Sequence, residues 1–234
     1  IKYQALEKIN LKLYKGETLG LIGESGSGKT SLSNTILKIN KFEEGEILFN
    51  GDDISKIKGK ELLKFRKNVQ LIFQDPYASL NPLQNIFQII SEPLKYHQLC
   101  NKNMVYNKCK ELMTDVGLNE TFLERYPHEL SGGQRQRVCI ARAISVNPQV
   151  LICDESVSAL DVSIQAKVLN LLNKLKEKYS FTYIFISHDL SVVKYMSDKI
   201  LVLFNGKVVE YQDADLLFKK PKNDYTKKLI KASL

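Results

Sequence analysis

The sequence predicts an α/β fold in which a mostly parallel sheet carries helices on both faces. Short apolar runs typical of buried strands recur along the chain, and segments with helical spacing lie between them. With 234 residues, of which 44% are hydrophobic, the chain can form one domain with a sizeable core. The predicted strands are residues 18–22, 69–73, 150–153 and 183–186, and the predicted helices include residues 31–39, 61–67, 134–146 and 163–178.

An antiparallel β portion is expected near the N-terminus. Residues 6–13 carry apolar side chains in the pattern of an amphipathic strand, and residues 45–51 predict a second strand between two turns. Near the C-terminus, residues 199–210 predict a hairpin whose turn is Asn205-Gly206.

Residues 80–130 have helical periodicity and no strand pattern. Helices are predicted near residues 86–94, 104–116 and 118–125, and Pro93 should break or bend the first of them. We therefore expect an inserted α-helical subdomain at about residues 80–140, within a single domain that spans residues 1–234. Because the chain starts at Ile1 rather than Met, we expect its ends to be trimmed.

Composition argues against several classes of protein. The net charge of +8 comes from scattered lysines without interleaved aromatic residues, so no nucleic-acid partner is expected. No apolar run approaches the roughly 18 residues of a membrane span, and the start does not resemble a signal peptide. The four cysteines form no Cys-x-x-Cys pair and no metal-site spacing with the three histidines. A reducing cytosol is the simplest compartment.

Residues 23–30 have the pattern of a phosphate-binding loop, Gly, four residues, then Gly-Lys-Thr. The loop joins a predicted strand to a predicted helix. Its glycines let backbone N–H groups approach an anion, and the helix N-terminus adds a favourable dipole. The pattern predicts that Lys29 reaches the β- and γ-phosphates of a nucleotide and that the Thr30 hydroxyl binds Mg²⁺.

Polar residues follow three of the predicted strands. Asp154 and Glu155 end the strand at 150–153, where an Asp can hold Mg²⁺ and a Glu can activate water. His188 and Gln74 also follow apolar strands, although each is equally explained as a turn or helix-start residue. These patterns are weak alone and gain weight only from the phosphate loop.

Residues 130–137 predict a second anion site. Ser131 can cap the helix that follows, and the adjacent glycines leave backbone N–H groups open. A chain with two such sites and one nucleotide suggests that the second site serves a neighbouring chain.

Together these motifs resemble the ATP-binding cassette (ABC) ATPase family, a branch of the P-loop NTPases, over essentially the whole chain. The segments similar to the family's motifs are 23–30 (Walker A), Gln74 (Q-loop), 130–134 (signature), 151–155 (Walker B), 158–161 (D-loop) and His188 (switch histidine). Residues 73–82, 158–165 and 224–229 further resemble ATPase subunits of oligopeptide, dipeptide and nickel importers, most of all the F-type subunit.

The resemblance implies site residues for ATP and Mg²⁺. It assigns the phosphates to Gly23, Glu24, Ser25, Gly26, Ser27, Gly28, Lys29, Thr30 and Ser31, and from a second chain to Ser131, Gly133 and Gln134. It assigns Mg²⁺ to Thr30, Gln74 and Asp154. The catalytic residues that it implies are Glu155, which polarises water, and His188 and Gln74, while Asp161 would signal across the interface.

The resemblance also implies partners and a location. A second ABC ATPase domain, either a sister subunit or another copy, would complete the site head to tail. Two transmembrane permease subunits would dock near Gln74 and the helical insertion, and an extracytoplasmic substrate-binding protein would act indirectly. The chain would therefore lie at the cytoplasmic face of a bacterial cell membrane.

Two positions depart from the family pattern. Ser156 stands where the family usually has Pro, which would fix φ after Glu155. The family also stacks adenine on an aromatic residue before its first shared strand, and Tyr3 is the candidate that the resemblance implies for it.

Several functions compete on the sequence alone. Peptide import is the first choice, and nickel or metal-chelate import is the alternative. ABC ATPases of chromosome or repair proteins carry long coiled coils or zinc modules that are not evident here. A degenerate, non-hydrolysing partner would lack Glu155 or His188, and both are present. Translation factors of the ABC type usually carry two cassettes, and this chain has one.

Overall fold

The computed structural model describes residues 4–232, which form two compact units. The first unit combines the described residues up to Val69 with those from Thr182 onward, and the second runs from Gln70 to Phe181. In chain order the elements are β1 (Thr18–Ile22), α1 (Lys29–Ile36), β2 (Leu48–Phe49), β3 (Asp52–Asp53), α2 (Gly59–Asn68), β4 (Val69–Ile72), α3 (Ile86–Tyr96), α4 (Val105–Asp115), α5 (Gly132–Ile144), β5 (Val150–Asp154), α6 (Val162–Tyr179), β6 (Thr182–Ile186), α7 (Leu190–Met196), β7 (Lys199–Phe204), β8 (Lys207–Asp213), α8 (Ala214–Lys219) and α9 (Asp224–Lys231).

The first unit is built on the strand order β6-β1-β7-β8. The central strand β1 pairs in parallel with both β6 and β7, and Gly20 lies opposite Phe185 and Ile200. All residues of β1 and β6 are buried, which explains why both strands are continuous apolar runs. Helix α7 packs on β1, and α9 packs on β8. Strands β2 and β3 form a separate antiparallel pair.

The second unit is mainly helical around the neighbouring strands β4 and β5. Helices α3, α4 and α5 pack on one another, and α5 also packs on α6. Helices α3 and α5 both begin with capping boxes, Asn85 with Gln88 and Ser131 with Gln134. The buried apolar residues of this unit include Ile86, Ile90, Met113, Val138, Ile140, Leu151, Ile152, Val168 and Leu172.

Most of the predicted elements are confirmed. The four predicted strands correspond to β1, β4, β5 and β6, and the predicted hairpin is β7–β8. Its turn residues Asn205 and Gly206 both have positive φ, 46° and 73°, as a tight hairpin turn requires. Among the described residues between 80 and 130, the structure has helices and no strand.

The strand predicted over residues 6–13 is wrong. No strand is assigned there, and Lys8 has φ 51°, which turns the chain out of the extended conformation. The strand predicted over 45–51 is reduced to β2, so the antiparallel portion of this region is the β2–β3 pair.

Smaller corrections concern helices. Helix α1 begins at Lys29 and ends at Ile36, rather than spanning residues 31–39. Pro93 does not break α3, which contains it and continues to Tyr96. The helix predicted over 118–125 is a 3₁₀ turn at Glu120–Glu124. No helix within residues 4–232 is both long and apolar enough to cross a membrane.

Candidate nucleotide site

The loop after β1 has a backbone that only glycine can adopt at two positions. Gly23 has φ 151°, and a Cβ there would lie 2.2 Å from the carbonyl oxygen of Leu203. Gly28 has φ 108° and precedes α1, which has no side-chain cap and no acidic residue in its first turn. The first turn of α1 therefore has no side-chain acceptor of its own, and the helix dipole favours an anion at this end.

Lys29 is buried within this loop. Its Nζ donates hydrogen bonds to the carbonyl oxygens of Gly23, at 2.8 Å, and Glu24, at 2.9 Å. The Oγ of Ser27 is buried and makes no hydrogen bond within residues 4–232. A buried ammonium, an unpaired hydroxyl and an uncapped helix N-terminus together form a donor set that suits a phosphate chain.

The rest of the loop is accessible. Glu24, Ser25, Gly26 and Thr30 are exposed, and Ser31 is half-buried. The carbonyl oxygens of Thr30 and Ser31 accept hydrogen bonds from the hydroxyls of Ser33 and Thr35, so these polar residues of α1 bond within the helix. Thr30 is thus an exposed residue in the first turn of α1.

Distant segments of the first unit support the loop, and no local sequence pattern indicates them. The N–H of Gly206, in the β7–β8 turn, donates to the carbonyl of Ser27 over 2.9 Å. A Cβ on Gly206 would lie 2.5 Å from the carbonyl oxygen of Ala5, so the N-terminal segment packs against the same turn. The Asn-Gly pair signalled the turn, but nothing in the sequence linked it to the phosphate loop.

His188 follows β6 in the first unit and is exposed. The adjacent Asp189 caps α7, because its Oδ1 accepts hydrogen bonds from the N–H groups of Ser191 and Val192. Asp189 therefore accounts for the helix start, and His188 is not needed as a cap.

In the second unit, Gln74 and Glu155 are joined. The Nε2 of Gln74 donates to Oε2 of Glu155 over 2.8 Å. Glu155 follows the end of β5 at Asp154 and has φ 46°, and its carbonyl accepts bonds from the N–H and Oγ of Ser158. The sequence indicated both residues but not their contact, because they are 81 positions apart.

Ser131 caps α5, as the sequence predicted. Its Oγ accepts from the N–H of Gln134 at 3.4 Å, and its own N–H donates to Oε1 of Gln134 at 2.9 Å. Ser131 and Gly132 are exposed, whereas Gly133 is buried. A Cβ on Gly133 would lie 2.5 Å from Cγ2 of Ile164, so packing within the unit already requires glycine there.

One face of α5 holds the segment after Gln74. The Arg135 guanidinium lies 5.0 Å from the centre of the Tyr77 ring. Further along α5, Cys139 Sγ lies 3.9 Å from the carbonyl oxygen of Pro76, and Arg142 donates to that of Ser79 over 2.6 Å. The segment after Gln74 is therefore packed against α5, the helix that begins at the signature segment.

The chemistry of the predicted Mg²⁺ residues fits that ion. Thr30, Gln74 and Asp154 offer hydroxyl, amide and carboxylate oxygens, the ligand type that Mg²⁺ prefers. Residues 4–232 contain no cluster of three or more His, Cys, Asp or Glu that could hold a metal.

Two cysteines close in sequence to the predicted site residues are buried. Burial raises the pKa of Cys153, in β5 beside Asp154, to about 12, and that of Cys139, in α5, to about 11. Both thiols therefore stay protonated at neutral pH.

The candidate adenine contact Tyr3 lies outside the described residues.

Comparisons with known proteins identify the family. The family model described as ABC transporter matches residues 6–158. The chain is 49% identical to the oligopeptide transport ATP-binding protein OppF of Bacillus subtilis, covering 98% of this chain and 76% of the relative. It is 51% identical to OppF of Streptococcus mutans, covering 98% and 75%. A dimeric, post-hydrolysis structure of the ATP-binding cassette MJ0796 with ADP and Pi matches with TM-score 0.81 and 31% identity, over 91% of each chain.

An open phosphate loop on an α/β core and an acid pair at a strand end define a P-loop NTPase. The chain belongs to the ABC transporter family. It is an ABC ATPase, with ATP as its nucleotide and Mg²⁺ as the usual ion of the family.

Proposed function

We propose that this chain is the ATP-hydrolysing subunit of an importer for oligopeptides or dipeptides. The observation that carries the proposal is the phosphate loop, where buried Lys29 lies inside an anion-accepting turn at the uncapped start of α1. The names of the two relatives support the choice of substrate, since both are oligopeptide transport proteins.

Residues 23–31 hold the phosphates of ATP in this proposal. The N–H groups at the start of α1 and the Lys29 ammonium supply the positive potential. Thr30, Gln74 and Asp154 hold Mg²⁺, and Tyr3 stacks on adenine. Mg²⁺, when bound, neutralises charge on the phosphates.

Glu155 is the residue that orients and polarises the attacking water. Its contact with Gln74 gives the carboxylate a defined direction, and a positioned carboxylate is suited to general-base work. His188, exposed after β6, steadies the γ-phosphate and the water.

A second nucleotide-binding domain completes the site. Ser131, Gly133 and Gln134 of one chain contact the γ-phosphate held by the other, and Asp161 acts across the interface. Exposure of Ser131 and Gly132 at the start of α5 supports this role, as does the dimeric state of the related cassette. The second domain is a sister subunit or another copy of this chain.

The remaining partners are two permease subunits and, indirectly, an extracytoplasmic substrate-binding protein. The chain acts at the cytoplasmic face of the membrane, as one domain over residues 1–234 with a helical subdomain at about 80–140. The link between α5 and the Gln74 segment supports transmission of closure to the permeases.

Complementation in the bacterium that carries the gene tests the substrate. An amino-acid auxotroph without the gene should not grow when the required amino acid is supplied only as an oligopeptide. The wild-type gene should restore growth, and a Glu155→Gln allele should not. Normal peptide growth of the deletion strain, together with lost uptake of radioactive nickel, would favour the metal importer instead.

A further inference from the structure

The start of the phosphate loop contacts the C-terminal helix of its own unit. The Oη of Tyr225, in α9, accepts a hydrogen bond from the N–H of Glu24 over 3.0 Å. The Tyr225 ring packs on Phe204, the last residue of β7, with ring centres 4.3 Å apart. Residues 224–229 are one of the segments that resemble importer ATPase subunits, but none of the nucleotide-site residues lies among them.

The Glu24 residue is therefore held from two sides. Tyr225 accepts from its N–H, and the Lys29 ammonium donates to its carbonyl oxygen at 2.9 Å. These two contacts orient the peptide groups at the entry to the loop. Gly26, two residues further on, has φ 80°, and no atom lies within 4 Å of where its Cβ would stand, so the loop is unpacked at Gly26.

Tyr225 is itself firmly anchored. Its N–H donates to the Oδ1 of Asn223 over 2.8 Å. The Glu210 carboxylate, on β8, accepts from the N–H groups of Lys222, at 2.8 Å, and Asn223, at 3.0 Å. Thr226 is fully buried, so α9 is fixed at its N-terminal end.

We propose that Tyr225 is a positioning residue that keeps the phosphate loop in its nucleotide-accepting shape. The proposal rests on the assignment of residues 23–31 to the phosphates. An incoming phosphate competes for the Lys29 ammonium with the carbonyl oxygens of Gly23 and Glu24. When the Lys29 hydrogen bond to the Glu24 carbonyl weakens, the hydrogen bond from the Glu24 N–H to the Tyr225 hydroxyl still holds Glu24 in place. The hydroxyl therefore contributes to nucleotide affinity rather than to turnover of bound ATP.

The test compares Tyr225→Phe with Tyr211→Phe in the full chain. Both variants keep the ring and lose one hydroxyl. The control hydroxyl, on Tyr211 in the same unit, donates instead to the Lys12 carbonyl over 2.7 Å, and Lys12 lies outside the loop. Binding of MgADP is measured by isothermal titration calorimetry, and kcat and KM for ATP are measured by phosphate release.

Tyr225→Phe should raise the Kd for MgADP and the KM for ATP about three- to tenfold, the scale of one net hydrogen bond. Its kcat should stay within about twofold of wild type, and Tyr211→Phe should bind as wild type does. Unchanged affinity in Tyr225→Phe, or an equal loss in both variants, would overturn the proposal.

A Lys29→Ala variant distinguishes failure of the Tyr225 proposal from failure of the nucleotide-site proposal on which it rests. If Lys29→Ala weakens MgADP binding while Tyr225→Phe does not, the role of Tyr225 fails and the nucleotide site stands. If Lys29→Ala also binds as wild type does, the nucleotide site itself is misassigned and both proposals fail.

Discussion

Gln74 donates from its amide to the Glu155 carboxylate over 2.8 Å, which joins the second residue after β4 to the first residue after β5. Glu155 also has a left-handed backbone, with φ 46°, and its carbonyl is bonded by Ser158. The carboxylate is thus directed by its backbone and by a specific donor. Such preorganisation is what a residue that orients water requires.

Glu155→Gln should abolish most turnover while keeping nucleotide binding. The amide retains an oxygen that can accept from Gln74, but it cannot act as a base. We expect kcat to fall by roughly 10²- to 10⁴-fold, with ATP affinity close to wild type. Phosphate release and calorimetric titration measure the two quantities.

A matched control for that substitution lies in the same unit. Glu120 forms an exposed pair with Lys110, and Glu120→Gln should leave both turnover and affinity unchanged. Wild-type turnover in Glu155→Gln would remove this residue from catalysis.

Lys29→Ala should weaken ATP binding, whereas Lys38→Ala should weaken the fold. Loss of a charged hydrogen-bond donor at the phosphates is worth about 1.5–3 kcal/mol, or roughly 10- to 100-fold in Kd. Lys38 instead donates to the carbonyl oxygens of Ile54, Ser55 and Ile57 at 2.7–3.2 Å.

The two lysine variants are distinguished by two measurements. Titration with nucleotide should detect a change only for Lys29→Ala, and urea unfolding should detect a loss of about 1–3 kcal/mol for Lys38→Ala, which leaves carbonyls without a donor. Equal effects of both variants on ATP affinity would contradict a special role for Lys29.

Gly133→Ala should destabilise the second unit, and Gly132→Ala should do so far less. The added Cβ at Gly133 would lie 2.5 Å from Ile164, whereas at Gly132 the nearest such atom is in Leu160 at 3.8 Å. We expect about 1–3 kcal/mol of destabilisation for Gly133→Ala from overpacking. Thermal and urea unfolding measure it.

A double variant tests the cause of that loss. Combining Gly133→Ala with Ile164→Ala should cost less than the sum of the two single changes, because the clash is relieved. Additive losses would show that the Ile164 contact is not responsible.

Protonation of Glu210 should account for part of the loss of folding stability in acid. Burial alone would raise the pKa of this carboxyl, but hydrogen bonds from the N–H groups of Lys222 and Asn223 outweigh it and hold the pKa below its usual 4.5. The unfolded chain therefore binds the proton more tightly. The stabilisation is complete above about pH 4.5 and is lost as the pH falls through the lower, folded-state pKa.

Urea unfolding between pH 6 and pH 3 measures this effect. Wild type should lose stability more steeply below about pH 4.5 than Glu210→Gln, which lacks the titrating group, so that the two converge in acid. Parallel curves over that range would mean that Glu210 titrates alike in both states.

Thiol labelling should be confined to Cys100 in the folded chain. Cys100 is half-exposed, whereas Cys109, Cys139 and Cys153 are buried. Burial raises the pKa of Cys109 and Cys153 to about 12 and of Cys139 to about 11. A maleimide at pH 7.5 should therefore add once, as counted by mass spectrometry, and should modify all four cysteines in denaturant. Rapid labelling of Cys153 would contradict the burial of β5.

The phosphate loop illustrates how much could be predicted from local sequence. Its glycines, lysine and threonine carry their chemistry in consecutive residues, and the strand before it is a continuous apolar run. The helical stretch at 80–130 was equally predictable, because periodicity is a local property. Residues 6–13 show the limit of such reasoning. Their pattern suited a strand, but a strand also needs a partner edge, which no local pattern specifies.

The sequence alone determined the family, the phosphate loop and the acid pair, since each is written in a short run of residues. Only the tertiary structure decided which distant groups support them. The contacts of Gln74 with Glu155 and of Tyr225 with Glu24 join residues 81 and 201 positions apart. Such contacts depend on strand order and helix packing, and a single sequence carries no direct signal of either. Gly133 is a further example. The signature motif predicts a ligand-binding role for it, and only the structure shows that packing against Ile164 also requires glycine there.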